Sequence, residues 1–382
     1  MIRAGQFLDA AQRRGLDFYT GVPCSFLTPL INGAISRREL RYLGATSEGE
    51  AVALAAGAWL AGRQPVVMCQ NSGLGNMVNP LTSLCHPFRI PLLLVCTWRG
   101  RPGVKDEPQH EVMGRVTHDL LTVIGISHRP FPDRPEEIEG SLEEAGKLMA
   151  TTELPTALIM EKGTVAADGP LDQAPPARHG DGAAPADHTR GARRPTRASV
   201  LESVLATAPP EAAVIAGTGK CGRELFTLAD REQHFYLVGS MGCAGALGLG
   251  AALNTPRPVV VLDGDGAALM KLGAMATVGA ARPDNLVHVV IDNEVHDSTG
   301  GQATVSAGVG FARVALACGY RHAAVSDDLR GFAEAFSRAL ASPGPHLIHA
   351  RISPGSRMDL GRPTVTPYEV ARRFRRFLGT AA

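Results

Sequence analysis

The chain has 382 residues, 45% of them hydrophobic and 20% charged, and a formal net charge of +1. That length holds two domains with sizeable cores. A balance so close to neutral, with only 5% aromatics, gives no global field or stacking platform for nucleic acid or an acidic membrane. Seven scattered cysteines with no C-x-x-C pair, and histidines with no ligand spacing to them, read as reduced thiols of a cytosolic protein rather than a disulfide framework or Zn site.

In chain order, the opening MIRAGQFLDAAQRRG lacks an apolar signal core and reads as an amphipathic helix. Apolar runs suited to buried strands follow at 17–22, 65–70, 90–97 and 155–160. The second half adds 212–216, 235–238, 259–262, 287–291 and 346–352. Continuous apolar strands separated by helical stretches predict parallel sheets covered on both faces, an α/β architecture of two doubly wound domains. Residues 164–197 break the pattern, being rich in Pro, Gly, Ala and charge without apolar periodicity. They are expected to form a linker, flexible over part of its length, between domains at 1–163 and 198–382. The uncharged run FYLVGSMGCAGALGLGAAL at 235–253 could mimic a membrane span. Its glycine density and the turn-like Gly239-Ser240 predict a buried strand and a packed helix instead.

The segment VVVLDGDGAALMKLGAMATVGAARPDNLVHVVIDNE, 258–294, carries the strongest chemical signal. One strand ends at Asp263, Gly264-Asp265-Gly266 turns into a helix, and a second strand ends at Asp292-Asn293. Both polar ends then fall at the carboxyl edge of adjacent strands, where α/β sheets bind ligands. A carboxylate, an amide oxygen and a backbone carbonyl suit Mg2+, which keeps room for phosphate oxygens and water. Glycines allow close backbone approach, and the helix start offers free N–H groups. A rival pattern is Gly217-Thr218-Gly219-Lys220-Cys221-Gly222, a formal G-x-G-x-x-G after a strand. A nicotinamide-dependent oxidoreductase would need an acidic residue ending the next strand, and this one ends in Gly239-Ser240. The loop reads instead as a phosphate-side element.

GDG followed by Asn after this spacing resembles the thiamine diphosphate signature of the pyruvate decarboxylase and acetolactate synthase superfamily. The resemblance implies Asp265, Asn293 and the carbonyl of Val295 as metal ligands; Asp292 stands where relatives often carry Asn. It also implies an activating glutamate opening a helix of the form E-x-x-A-x-x-A-A-x-G. Residues 48–57, EGEAVALAAG, fit with Glu48 as that glutamate. Glu50 would serve equally well as an ordinary acidic helix start, and the distance to Gly57 selects Glu48. Met241, in Gly239-Ser240-Met241-Gly242, takes the position of the apolar wedge between the cofactor rings. Further cofactor-binding residues implied are Gly217, Thr218, Gly219, Gly264, Gly266, Ala267, Ser72 and Gly73.

Most of that superfamily carries a third domain. The compact form here resembles the phosphonopyruvate and sulfopyruvate decarboxylases, as do GVPCSFL (21–27), NSGLGNMVNPLTSL (71–84), WRGRPGVKDEPQHEVMG (98–114), GTGKCGRELF (217–226) and GSRMDLGRPTVTP (355–367). The 105–110 segment is closer to the phosphonopyruvate branch. The implied substrate is a small 2-oxo acid with a second anionic group, and Ser25, Arg99, Arg101, Lys105, His110, Arg357 and Arg362 are candidate partners for it. The resemblance further implies thiamine diphosphate and Mg2+ as cofactors, phosphonate metabolism as the setting, and a homodimer or larger assembly. In that assembly Glu48 and Asp265 of one site come from different chains. A non-catalytic cofactor-binding subunit is the remaining alternative, to which loss of the glutamate or metal ligands would point; both are present.

Overall fold

The computed structural model describes residues 1–174 and 184–380. The chain divides into two compact units, Met1–Pro175 and Pro176–Ala382. Residues 175–183 of the expected linker lie outside the described residues.

The first unit holds a six-stranded parallel sheet in the spatial order Arg41–Gly44, Leu16–Gly21, Gln64–Gln70, Leu93–Thr97, Thr156–Met160, Ser127–Pro130. Every residue of Leu93–Thr97 and of Thr156–Met160 is buried. Successive side chains point to opposite faces, so full burial means that both faces are covered. Helix Glu48–Leu60 packs on strands Leu16–Gly21 and Gln64–Gln70 and is buried from Gly49 to Leu60. Its run of Ala and Gly permits the close approach, while Val52, Leu54 and Leu60 each contribute roughly 1.5–3 kcal/mol of apolar burial.

The second unit repeats this topology. Its parallel sheet runs His234–Tyr236, Ala213–Ala216, Val259–Gly264, Leu286–Asp292, His346–Arg351, His322–Ser326, with Ala186–His188 added at the far edge. With Ala186–His188 left aside, the first strand of each unit in chain order connects outward to one side. The third, lying against its other flank, connects to the opposite side. The loops leaving those two strands therefore diverge and open a crevice at their carboxyl ends, the switch point at which such sheets bind ligands. Loops 217–219 and 264–266 border it in the second unit, and loops 22–25 and 71–73 in the first.

The predicted strands are present with ends shifted by up to three residues. Strands Arg41–Gly44, Ser127–Pro130 and His322–Ser326 give no apolar run in the sequence. The first two are edge strands with no buried residue, and the third lies one strand from an edge, so none needs continuous apolar sequence. Within the 164–197 stretch, Val165–Ala166 pairs with Ile2–Arg3, and Ala186–His188 pairs with His322–Ser326. Helix Arg197–Thr207 begins at its end, capped by the Thr196 hydroxyl accepting from Ser199 N–H. Residues 235–253 form the end of the short strand His234–Tyr236, a turn, and the buried helix Ala244–Ala252. No helix among the described residues is long and apolar enough to cross a membrane.

Candidate active site

At the switch point of the second unit lies a cavity of about 210 Å3. Of the residues singled out from sequence, Thr218, Gly219, Gly264, Asp265, Gly266 and Ala267 line it. Met241, Asn293 and Val295 line it as well. Gly217, Gly239 and Ser240 are neighbours in the chain that do not line it. Strand Val259–Gly264 ends immediately before helix Asp265–Met270, which puts the Asp265 side chain at the rim. Gly219 adopts φ +90 as N-cap of helix Lys220–Leu228, a backbone only glycine takes without strain, and a Cβ there would stand 2.9 Å from Ser298 Oγ. A larger cavity of about 930 Å3 along helix Phe311–Ala317 contains none of the predicted residues.

Two buried carboxylates at this edge are drawn apart in character. Asp265 accepts from Thr304 Oγ1 at 2.5 Å. Burial pushes its pKa above the usual carboxylate range and the charge of Asp292 adds to that, with the Thr304 hydroxyl opposing. No basic side chain among the described residues forms an ion pair with it. For Asp292 burial also pushes upward, but hydrogen bonds outweigh it and the net shift is downward. They come from His349 Nε2 at 2.7 Å, Ser306 Oγ at 2.9 Å and Glu294 N–H at 3.0 Å. Asp292 is thus a structural anion with its own partners, which explains its place beside Asn293. Asp265 lacks a counter-charge, and a divalent cation is what its environment would accept. Residues that offer hard oxygen donors line the same cavity: Asp265 with its carboxylate, Asn293 with its amide and Val295 with its backbone. The residues present therefore fit Mg2+ with a diphosphate.

Sequence reasoning missed several participants. Arg197, Lys220, His296, Asp297 and Ser298 line the same cavity. Lys220 is the fourth residue of the G-T-G-K string, and His296 and Asp297 follow the Asn293 motif directly, so proximity to the motifs was their only sequence signal.

In the first unit Glu48 stands at the first position of its helix. The Ser47 hydroxyl caps that helix by accepting from Glu50 N–H. Buried Glu50 folds back onto Thr46, accepting from its N–H at 2.9 Å and from its hydroxyl. Glu50 therefore performs the acidic helix-start role, and Glu48 is left half-buried, accepting from Asn76 Nδ2 at 2.7 Å. Gly73 packs against that carboxyl group so closely that a Cβ would stand 2.5 Å from Glu48 Cδ. Ser72 accepts from Gln70 Nε2 at 2.5 Å.

Ser25 meets Arg99, whose Nη1 donates to Ser25 Oγ at 3.3 Å. Arg99 also forms a fork on Asp106, Nε to Oδ2 at 2.7 Å and Nη2 to Oδ1 at 2.5 Å, and lies 4.5 Å from the centre of the Phe26 ring. The guanidinium hydrogen bonds hold the Asp106 carboxyl far below its usual range. Fully buried Asn71 ties the loops together through Arg99 O at 2.8 Å and Thr117 Oγ1 at 2.9 Å. The other predicted anion partners are dispersed. Arg101 pairs with Glu161 on the surface, Lys105 is exposed, and His110 is buried with Nδ1 unpartnered. In the second unit Arg357 forks onto Asp359 at 2.7 and 2.9 Å, and Arg362 is exposed.

Residues 3–120 match the family described as thiamine pyrophosphate enzyme, N-terminal TPP binding domain. Residues 217–350 match thiamine pyrophosphate enzyme, C-terminal TPP binding domain. A phosphonopyruvate decarboxylase of Streptomyces hygroscopicus is 53% identical over 378 residues, 99% of this chain and 94% of that one. A sulfopyruvate decarboxylase of Methanosarcina acetivorans is 28% identical over 97% of this chain and 96% of its own. The benzoylformate decarboxylase structure from Polynucleobacter necessarius superposes with a TM-score of 0.72 at 13% identity, covering 94% of this chain and 100% of that one, which shows a shared fold. The chain belongs to the thiamine pyrophosphate enzymes and, within them, to the phosphonopyruvate decarboxylase family.

Proposed function

We propose that this chain decarboxylates 3-phosphonopyruvate to phosphonoacetaldehyde and CO2, with thiamine diphosphate and Mg2+ as cofactors. The observation that carries the substrate is the 53% identity to the Streptomyces hygroscopicus enzyme along almost the whole chain, against 28% to the sulfopyruvate enzyme. When bound, thiamine diphosphate supplies a sink for the electron pair released as CO2 departs.

Asp265, Asn293 and the Val295 carbonyl hold Mg2+, a reading supported by the buried Asp265 carboxylate that lacks a basic partner. Gly217, Thr218, Gly219, Gly264, Gly266 and Ala267 receive the diphosphate end, helped by the free N–H groups that open helix Lys220–Leu228. Met241, with Gly239 and Ser240 behind it, props the rings; its half-buried place in the cavity wall supports this. Ser72 and Gly73 would flank the ring end, and Glu48 would hold a proton at a carboxylate oxygen beside it. Ser25 and Arg99 orient the phosphonate. Arg101, Lys105, His110, Arg357 and Arg362 are further candidate partners for the substrate's anionic groups. The active form is a homodimer or larger assembly in the cytosol, each site taking Glu48 from one chain and Asp265 from another.

The test is CO2 release from phosphonopyruvate, sulfopyruvate and pyruvate, with and without both cofactors. Phosphonopyruvate should show the highest kcat/KM, and only when thiamine diphosphate and Mg2+ are present. A preference for sulfopyruvate, or turnover without the cofactors, overturns the proposal.

A further inference from the structure

We infer that Asp297 is a positioning residue for the metal site: it sets which end of the Asn293 amide faces the metal, and through Arg197 it ties that setting to the 355–357 loop. The inference rests on the reading of Asn293 as a metal ligand.

An asparagine amide presents one acceptor and two donors of nearly equal shape, so a metal-binding Asn must be held against rotation by half a turn. Asn293 is buried, and its Nδ2 donates to Asp297 Oδ2 at 2.7 Å. Turned over, the amide would set its oxygen against a carboxylate oxygen with no hydrogen between them. The Asp297 carboxylate therefore assigns Nδ2 to itself and leaves Oδ1 for another partner. Among the described residues, Oδ1 has only the Val295 N–H, at 3.4 Å.

Asp297 is itself fixed. Arg197 Nη2 donates to Oδ2 at 2.6 Å, and Gly355 N–H donates to Oδ1 at 3.2 Å. Arg197 also donates to the Gly355 carbonyl at 3.3 Å and to Glu224 Oε1 at 3.5 Å, and the same Glu224 oxygen accepts from Arg357 N–H at 3.1 Å. The Arg197 and Asp297 side chains are 7% and 12% exposed, and Glu224 is 1% exposed. One guanidinium thus holds two buried carboxylates. Burying such a group is weak evidence for stability, because desolvation offsets the attraction. What the cluster secures is placement: the first residue of helix Arg197–Thr207, helix Lys220–Leu228, the 355–357 loop and the Asn293 amide are joined in one network.

The experiment titrates Mg2+ into the full-length chain at fixed thiamine diphosphate. It reads the midpoint of the cofactor-dependent rise in Tm and, separately, kcat. Asn293→Ala should abolish the Mg2+-dependent rise; if it leaves the midpoint unchanged, the ligand reading fails and this inference with it. Asp297→Asn leaves too few acceptors for three donors and should raise the midpoint about 10-fold or more, the usual effect of losing a ligand's outer partner. Asn293→Asp alone sets carboxylate against carboxylate and should weaken Mg2+ strongly. The reciprocal pair Asn293→Asp with Asp297→Asn restores one donor facing one carboxylate and should recover most of that loss, a response a merely structural Asp297 would not give. Loss in Asn293→Ala, with an unchanged midpoint in Asp297→Asn and no recovery in the pair, overturns the positioning role and leaves the ligand reading standing. Each variant's cofactor-free Tm shows that it folds.

Discussion

The two units share one strand order around their switch points but treat their polar groups in opposite ways. In the second unit Asp265, Asp292, Asn293 and Asp297 are enclosed by partners from Thr304, Ser306, His349 and Arg197 before any ligand arrives. In the first unit the helix-start work falls to buried Glu50, and half-buried Glu48 accepts from Asn76 Nδ2 at 2.7 Å. A site that anchors a charged cofactor benefits from a rigid, prearranged donor set. A group that must exchange a proton benefits from being open on one side. The same fold supplies both because the crevice position is topological, while the partners are a matter of side chains.

The comparison breaks most visibly if the roles are exchanged by mutation. Glu48→Ala should lower kcat by at least about 100-fold while keeping the cofactor-dependent rise in Tm. Asp265→Ala should lose that rise itself, since nothing then binds the folded state preferentially. If Glu48→Ala loses the rise, or Asp265→Ala keeps it, the division between the units is wrong. A smaller effect is expected from Gly73→Ala, whose new Cβ would displace the Glu48 carboxyl group. A misplaced catalytic group should cost about 10-fold or more in kcat with little change in Mg2+ midpoint. Equal losses in both readouts would show that Gly73 serves the fold and not the glutamate.

The smallest effect concerns stability alone and sharpens the second unit's side. Buried His234 has its pKa lowered to about 4, chiefly by burial and also by the nearby Arg231 charge. The unfolded chain therefore binds a proton between about pH 6.5 and 4 that the folded chain refuses. Stability from neutral His234 is full above about 6.5 and lost as pH falls toward 4, about 3 kcal/mol at most. His346 and His322 are shifted downward as well, again chiefly by burial, so they act in the same direction. A His234→Gln variant should lose less Tm than the parent between pH 7 and 4.5; parallel curves would show that His234 is not a source of the acid lability.

Much of this was legible in the sequence, for a physical reason. Asp265, Asn293 and Glu48 sit where regular elements begin or end, so their spacing is dictated by the lengths of strand and helix between them. Thr304, Arg197 and Asp106 were not legible, because each acts through a contact that no local rule fixes. Thr304 reaches Asp265 across 39 positions and Arg197 reaches Asp297 across 100. The shared topology of the units was also hidden. Its strands Arg41–Gly44, Ser127–Pro130 and His322–Ser326 give no apolar run in the sequence.

The most direct test of the divided roles mixes purified Glu48→Ala and Asp265→Ala chains, each inactive alone, under conditions that exchange subunits. If each site combines Glu48 of one chain with Asp265 of another, a mixed pair holds one doubly defective site and one intact site. Activity should then return to about a quarter of the parent value after statistical exchange between two chains. No recovery, with exchange verified, would contradict the account by placing both residues of a site on one chain.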